Sequence, residues 1–114
     1  MIGPHQHLVL VGMMGVGKTT VAKVVAERLG RPVIDTDHTI EAFTGRTVRD
    51  IFAADGEEAF RALEAQVLAD ALASPTPAVI AGAGGVVLRA ANREVLRASG
   101  ARVVWLCADP ATLV

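Results

Sequence analysis

Residues Gly12 to Thr19 carry the pattern G-x-x-x-x-G-K-[ST], whose residue types suit the binding of nucleotide phosphates. The apolar run Leu8 to Val11 precedes this segment and a helical pattern follows it, which is the order of elements that such a loop needs. Glycines let successive backbone N–H groups point at phosphate oxygens, and the next helix N-terminus adds partial positive charge. We expect Lys18 to reach the β- and γ-phosphates and the Thr19 hydroxyl to ligate Mg²⁺. The predicted nucleotide-binding residues are Met14, Gly15, Val16, Gly17, Lys18 and Thr19.

A glycine-rich turn followed by a surface lysine is the other interpretation of this segment. It gives no reason for the apolar strand before the loop or for the helix after it, so we favour the phosphate loop. The chain is expected to bind a nucleoside triphosphate, or to descend from one that did.

Two further segments with chemically useful residues follow predicted strands. Asp35 and Asp37 come directly after the second strand, and a glycine cluster that includes Gly84 and Gly85 follows the third. Ligands of parallel α/β sheets bind beyond the carboxyl ends of the strands. We therefore expect these two segments and the phosphate loop to converge on one rim of the sheet.

The elements that position these residues alternate between strand and helix along the whole chain. Such apolar strands separated by helices predict the α/β class, with a parallel sheet flanked by helices and a single domain over residues 1–114. The predicted strands are Leu8–Val11, Val33–Ile34, Ala78–Ala81 and Arg102–Leu106. The predicted helices are Lys18–Leu29, His38–Phe43, Val48–Phe52, Glu57–Ala73 and Asn92–Ala98, with another opening at Pro110.

Helical periodicity predicts which faces of the two long helices are buried. In the first helix the predicted core positions are Val21, Val24, Val25, Ala26 and Leu29. In the long helix they are Phe60, Leu63, Val67, Leu68, Ala71 and Leu72.

Composition excludes several classes of function. With a net charge of −1 and 52% hydrophobic residues, the chain has no basic excess for nucleic acid or an anionic membrane. Cys107 is the single cysteine, so no internal disulfide forms, and a buried inert thiol is expected there. The N-terminus lacks the charged segment of a signal peptide, which favours the cytoplasm, and His5 and His7 are expected to lie in a frayed terminus.

With these segments in place, the chain resembles the shikimate kinases, small P-loop kinases of the nucleoside-monophosphate-kinase type. The Asp-Thr-Asp and Gly-Glu-x-x-Phe-Arg-x-x-Glu patterns are specific to that family, whereas the phosphate loop is shared by many NTPases. The match is collinear over nearly the whole chain. The resembling segments are residues 12–21, 33–41, 44–48, 51–64 and 82–89.

The resemblance implies ATP-dependent phosphorylation of the 3-hydroxyl of shikimate, with roles for four kinds of residue. Asp35 would help to hold Mg²⁺, largely through water. Asp37 would accept hydrogen bonds from substrate hydroxyls and take the proton of the attacking hydroxyl, acting with Lys18 as a catalytic residue. Arg61 would bind the substrate carboxylate, and the backbone N–H groups of Gly84 and Gly85 would approach the substrate.

Each of these roles has a structural alternative. Asp35 and Asp37 are residue types that cap helices. Arg61 lies four residues after Glu57 and three before Glu64, as in an ordinary surface ladder of ion pairs. The glycines are also the residues that a loop with positive φ requires.

Three features depart from the family pattern. The triple glycine reads Ala83-Gly84-Gly85, and an alanine in a position of positive φ would cost about 1 kcal/mol. The resemblance also places beyond Val114 the lid with its ATP-contacting arginine, a second substrate-binding arginine, a fifth strand and a closing helix. The third departure is that, without them, the fourth strand becomes an exposed edge near Trp105.

We therefore expect an incomplete P-loop kinase domain with impaired catalysis. The resemblance implies a monomer for the full-length family, whereas an uncovered sheet edge could make a dimer of residues 1–114. One alternative is a catalytically silent nucleotide-binding fragment, which would bind ATP without shikimate-dependent release of ADP. Another is a kinase for a different small hydroxylated metabolite such as gluconate, which predicts a different residue at Arg61 or loss of the Asp37 contact.

Overall fold

The computed structural model describes Gly3 and residues 5–12, 18–83 and 89–106, with backbone alone for residues 18, 19, 83 and 106. The predictions for residues 14–17, for Gly84 and Gly85, and for Cys107 and Pro110 lie outside these residues. The elements are β1 Leu8–Gly12, α1 Lys18–Leu29, β2 Val33–Asp35, α2 Thr36–Thr44, α3 Val48–Asp55, α4 Glu57–Ala73, β3 Val79–Ala83, α5 Ala90–Ser99 and β4 Arg102–Leu106.

The four strands of the described residues form one parallel sheet in the order β2-β3-β1-β4. Val9 of β1 pairs with Ile80 of β3 and with Val103 of β4, so β1 has a neighbour on each side. Helices separate the strands along the chain, and the predicted α/β class with a parallel sheet is confirmed.

Alternate residues of β1 enter two different cores. Val9 and Val11 pack in the cluster that contains Leu68 of α4 and Leu96 of α5. Leu8 and Leu10 pack on the other face, where α1 lies. Because successive side chains of a strand point to opposite faces, a strand covered on both faces must be apolar throughout.

The helix α1 has the predicted bounds, but its buried face is only partly the predicted one. Ala22 and Ala26 are fully buried against the sheet. Val24 and Leu29 were predicted to be core residues, and this is wrong, since they are 47% and 41% exposed. The small alanine side chains let α1 lie close to the sheet, which leaves the flanking apolar residues at the solvent boundary.

A third core joins α2, α3 and α4 beside the sheet. Ile40, Ile51 and Phe60, one from each helix, form a buried cluster. The turn between α2 and α3 uses Gly45 in the left-handed region at φ 69°, and its N–H donates to the Glu41 carbonyl at 2.9 Å. This cluster fixes the N-terminal half of α4, on which Arg61 lies.

Gln6 and His7, directly before β1, are bonded to the rest of the fold, and the prediction of a frayed terminus at His7 is wrong. His7 is 6% exposed, its Nδ1 accepts from the Ala78 N–H at 3.1 Å, and its Nε2 contacts the Ser74 carbonyl at 3.0 Å. Arg31 donates to the carbonyl of Gln6, which anchors the same segment. The histidine therefore joins the start of β1 to the loop before β3.

Two further observations bear on the sequence predictions. Ala83 ends β3 in extended backbone, and the described residues include no non-glycine residue with positive φ, so the expected strain does not arise. None of the helices in the described part of the chain has the length and apolarity to cross a bilayer.

Candidate active site

The carboxyl ends of β2, β3 and β1 meet at one rim of the sheet. Asp35, the last residue of β2, is level with Ala81 of β3, and Ala83 is level with Gly12 of β1. Because α1 begins at Lys18, the predicted phosphate loop spans the gap between the end of β1 and a helix N-terminus. The expected convergence therefore holds for the described residues that flank each segment.

Asp35 ends β2 and caps α2. Its backbone is extended, at φ −95° and ψ 119°, and its Oδ1 accepts from the His38 N–H at 3.1 Å. Its carbonyl also accepts from the Thr39 hydroxyl at 2.8 Å. The capping role that the sequence left open is therefore present. It extends α2 back to Thr36, two residues before the predicted start.

Asp37 lies half-buried in the first turn of α2 and does not cap that helix. The preceding Thr36 is buried, and its hydroxyl donates to the Ala81 carbonyl at 3.4 Å. This bond ties the start of α2 to β3. Asp37 is thus carried on a turn fixed to the sheet, and its charge acts on Glu64 of α4.

Arg61 of α4 is held by two glutamates of its own helix. Its Nη1 lies 3.1 Å from Glu64 Oε1, and its Nε lies 3.5 Å from Glu57 Oε1. The guanidinium carbon is 5.4 Å from the centroid of the Phe60 ring, a distance at which a cation and an aromatic face attract each other. With its side chain 25% exposed, Arg61 retains access to solvent and to a ligand.

The arrangement differs from an ordinary surface ladder because Glu64 is fully buried. Its Oε1 accepts from Arg61, whereas its Oε2 has no hydrogen-bond partner in the described part of the chain. Burying a carboxylate without pairing both of its oxygens lowers the free energy of unfolding. The stability of the chain should therefore be sensitive to the surroundings of Glu64.

Burial is the largest influence on the Glu64 carboxyl and raises its pKa above the ordinary value. The hydrogen bond and the positive charge of Arg61 lower this pKa. The negative charge of Asp37 raises it, and the positive charge of Arg89 lowers it. Charges from three helical regions, α2, α4 and the start of α5, therefore meet at one buried carboxylate.

Sequence reasoning did not identify Glu64 as a site residue, although a signal was present. Glu64 lies four residues after Phe60 and four before Leu68, on the apolar face of α4. An ionisable residue on the apolar face of a helix predicts a buried, paired charge.

The apolar wall beside Arg61 comes from α3 and α4. The rings of Phe52 and Phe60 stack with their centroids 4.8 Å apart and their planes inclined by 35°. Phe60 is buried, and Phe52 is 36% exposed. The wall limits the approach of water to one side of the guanidinium, which strengthens its attraction to an anion.

An apolar cleft of about 310 Å³ lies elsewhere, between α2 and α4 below the rim. Its lining includes Ile34, Phe43, Leu63 and Val67, and Phe43 is 80% exposed. Neither Asp37 nor Arg61 lines this cleft, so it is separate from the candidate site.

The family profile of shikimate kinases matches residues 14–114 of this chain. A shikimate kinase of Symbiobacterium thermophilum is 59% identical over 107 residues, which make up 94% of this chain and 60% of that protein. A solved shikimate kinase from Acinetobacter baumannii, in complex with shikimate, is 42% identical with a TM-score of 0.85. It is matched over 95% of this chain and 59% of its own. The chain thus spans about 60% of the length of the relatives that it matches.

For the alternative of a gluconate kinase, the comparison shows a similarity of fold alone. A solved gluconokinase from Sinorhizobium meliloti 1021 is 21% identical with a TM-score of 0.55, covering 96% of this chain. The likeness to the Acinetobacter baumannii structure is greater in both measures.

Proposed function

This chain belongs to the shikimate kinase family, and we propose that it serves the transfer of the ATP γ-phosphoryl group to the 3-hydroxyl of shikimate. One observation carries the proposal most directly. The Arg61 guanidinium is held 3.1 Å from the buried Glu64, and Asp37 is near enough for its charge to act on the same carboxylate.

This pairing suits a polyol that carries a carboxylate. An oriented guanidinium binds a carboxylate in a charge-assisted and often bidentate manner. A carboxylate such as Asp37 accepts hydrogen bonds from hydroxyl groups. Arg61 and Asp37 lie on different helices, so together they fix the two ends of one small ligand. The backbone N–H groups of Gly84 and Gly85 complete the acceptor side of the proposal.

On the nucleotide side, the proposal assigns the phosphates to residues 14–17, to Lys18 and to Thr19. The proposal gives Asp35, which caps α2, a second role in holding Mg²⁺ through water. Mg²⁺ keeps several waters and needs only one or two carboxylates. The axes of β2 and β1 lie two strand spacings apart, about 10 Å, which leaves room for water between Asp35 and an ion near Thr19. When bound, the ion would neutralise phosphate charge.

The proposed chemistry asks the chain mainly to position reactants and to neutralise charge. The hydroxyl oxygen forms a bond to the γ-phosphorus as the bond to the bridging oxygen of ADP breaks. Asp37 takes the hydroxyl proton. Lys18 balances the charge that develops on the departing phosphate oxygens.

A second candidate follows from the length of the match. The chain spans about 60% of the length of the relatives that it matches, and the resemblance assigns the lid arginine to the part of them beyond this match. Loss of an arginine that stabilises the transition state lowers rates by about 10³–10⁵. A catalytically silent chain that still binds ATP and shikimate is therefore the alternative outcome for residues 1–114.

Calorimetry with each ligand separately tests the proposal. We expect Mg-ATP and shikimate each to bind the wild-type chain. Arg61→Ala should weaken shikimate binding by about tenfold to a hundredfold, because a charge-assisted hydrogen bond is lost, and should leave Mg-ATP binding unchanged. Asp37→Ala should have the same selectivity. A coupled assay for shikimate-dependent ADP release then separates a slow kinase from a silent fragment.

Arg97→Ala is a matched control, since Arg97 is an exposed arginine paired with Glu94 on the outer face of α5. It should change neither affinity. Shikimate binding that persists in both site variants would contradict the proposed site, and absence of Mg-ATP binding by the folded chain would contradict the proposed nucleotide role. The proposal also includes a cytoplasmic location, the lack of nucleic-acid and membrane partners, and a monomeric state for full-length members of the family, to be tested by fractionation and sedimentation.

A further inference from the structure

Asn92 is a buried polar residue that the proposed function does not use. It lies in the first turn of α5, is 2% exposed, and its Nδ2 has no hydrogen-bond partner in the part of the chain that the structure describes. A buried amide donor without an acceptor costs about 1–3 kcal/mol, so such groups require an explanation. Asn92 is also the only asparagine of the sequence.

The start of α5 lies against the first two turns of α4. Arg89, which precedes α5, places its Nη2 3.0 Å from Oε1 of Glu58. The charge of Arg89 also acts on the Glu64 carboxylate. This end of α5 is therefore aligned with the stretch of α4 between Glu58 and Glu64.

One turn further along α5, a second contact with α4 fixes how the two helices are aligned. Leu96 belongs to the buried cluster that contains Leu68 of α4. Asn92 lies four residues before Leu96, and Glu64 lies four residues before Leu68, so each is one turn nearer the rim on the same face of its helix. The alignments above and below place Asn92 opposite Glu64 across the interface of the two helices.

The two side chains are chemically complementary. Glu64 has a buried acceptor, Oε2, and Asn92 has a buried donor, Nδ2, and neither atom has a hydrogen-bond partner among the described residues. We propose that Asn92 is a positioning residue whose amide donates to Glu64 when the Arg61 guanidinium turns to an anionic ligand. The inference rests on the proposed function, since that ligand is taken to be the carboxylate of shikimate.

The physical reason is the cost of an unpaired buried charge. In the ligand-free chain Glu64 is stabilised by Arg61 at 3.1 Å. A ligand carboxylate competes for that guanidinium, and the buried Glu64 then loses part of its compensation. A hydrogen bond from a neutral amide to the carboxylate offsets this loss without another charge. Asn92 would thus make the release of Arg61 to the ligand less costly.

Nuclear magnetic resonance of the unmutated chain gives the first test. Because Asn92 is the only asparagine, selective ¹⁵N labelling of asparagine yields a single pair of side-chain amide signals. We expect saturating shikimate to shift these signals and Mg-ATP alone to leave them nearly unchanged. Shikimate binding by calorimetry without any shift of the Asn92 signals would overturn the inference and leave the proposed function standing.

Two affinities and a thermal cycle give the second test. Asn92→Ala should weaken shikimate binding about fivefold and leave Mg-ATP binding unchanged. For the cycle, thermal midpoints in saturating shikimate are compared for wild type, Glu64→Gln, Asn92→Asp and the double variant. The double variant exchanges donor and acceptor, so it should be more stable than the sum of the single changes predicts. Gln66→Glu makes the same amide-to-carboxylate change on the exposed side of α4 and should show no coupling to Glu64→Gln.

The outcomes separate the two claims. Additive thermal effects in saturating shikimate, for variants that calorimetry shows to bind it, would contradict the pairing of Asn92 with Glu64. A folded chain with coupled residues but no affinity for shikimate would contradict the proposed function, and with it the ligand named in the inference.

Discussion

At the scale of single residues, Glu64 links the core of this fold to its candidate site. Its carboxylate is fully buried, yet it forms an ion pair with Arg61, whose side chain is partly exposed. Burial destabilises the charged form of this carboxylate, and Arg61, with a smaller effect of Arg89, stabilises it. The free energy of folding should therefore depend on the protonation of this one group.

We predict that the effect of Glu64→Gln on the thermal midpoint depends on pH. The folded chain raises the pKa of Glu64, so the folded state binds that proton more tightly than the unfolded state does. The resulting stabilisation is present in acid and is lost as the pH rises through the folded pKa. The midpoint of Glu64→Gln relative to wild type should therefore rise as the pH increases from the ordinary carboxyl pKa through the raised pKa of folded Glu64.

Differential scanning calorimetry over that pH range measures the effect. Glu27→Gln, at an exposed position of α1, is the matched control and should give a nearly constant difference. A flat profile for Glu64→Gln would contradict the assigned burial of the charge.

His7 supports a second prediction at this scale. The Ala78 N–H donates to its Nδ1, so Nε2 carries the ring proton and donates to Ser74. His7→Ala would leave the buried Ala78 N–H and the partly buried Ser74 carbonyl without these bonds, at a cost of about 1–3 kcal/mol. The midpoint of thermal unfolding should fall by several degrees, whereas the exposed His5→Ala should leave it unchanged. Equal midpoints for the two variants would show that the bonds of His7 contribute nothing to stability.

At the scale of elements, the helix ends decide where the site residues lie. Asp35 starts α2, Gly45 ends it and Thr47 starts α3, with the Thr47 hydroxyl accepting from the Asp50 N–H at 3.0 Å. These caps turn the chain sharply twice and bring α3 against α4. The Phe52 ring thereby reaches Phe60 beside the guanidinium of Arg61.

Gly45→Ala tests the turn between α2 and α3. A Cβ built on Gly45 meets no atom within 4 Å, so the cost comes from the positive φ of 69° alone. That cost is about 1 kcal/mol for alanine and less for asparagine, which tolerates the left-handed region better. The unfolding midpoint in urea should therefore fall for Gly45→Ala and fall less for Gly45→Asn. The reverse order would mean that contacts, and not φ, determine the effect.

Sequence patterns predicted the elements best where periodicity was long and its ends were marked. The bounds of α1 and α4 matched because Gly30 follows the one and a Ser-Pro-Thr-Pro loop follows the other. The predicted start of α2, His38, was two residues too late. Asp35 was recognised as a possible helix cap, but the helix was not extended back to the residue that follows it. The start of α5 at Ala90 also preceded the predicted Asn92, since Arg89 at that end gives no side-chain cap.

The site was predictable in its residue types and less so in its burial. Asp35, Asp37 and Arg61 were identified from their motifs, and their proposed roles remain predictions. The burial of Glu64 and Asn92 depends on how α4 and α5 pack against each other, which no local pattern of either helix contains. His7 was missed for the same reason, since its partners lie about seventy residues away in sequence.

At the scale of the whole molecule, the two edge strands of the described sheet differ in length and exposure. The edge strand β2 is short, and α2 continues directly from it. Among the described strands, β4 forms the opposite edge. It is longer than β2, and its Val103, Val104 and Trp105 have 37%, 37% and 52% of their surfaces exposed. An exposed apolar edge strand favours pairing with other chains.

We predict that Val104→Lys reduces self-association of this chain. A lysine on an edge strand opposes the docking of a second strand by its charge and hydration. Light scattering over a range of protein concentrations measures the change, and the thermal midpoint should move little. Val24→Lys replaces a valine of similar exposure on α1 and should leave association as it was. Association unaltered by Val104→Lys would exclude β4 as the contact.

The central place of β1 has a consequence for how the molecule opens. All five of its residues are buried, and it bonds to a strand on each side. Deuterium should replace the amide hydrogens of β1 last, long after those of α3 and β4. Under the proposed function, partial opening by heat or by a protease would then detach α3 from α4 and disturb Arg61, while β1, which leads into the predicted phosphate loop, stays folded. A chain damaged in this way should lose affinity for shikimate before it loses affinity for ATP.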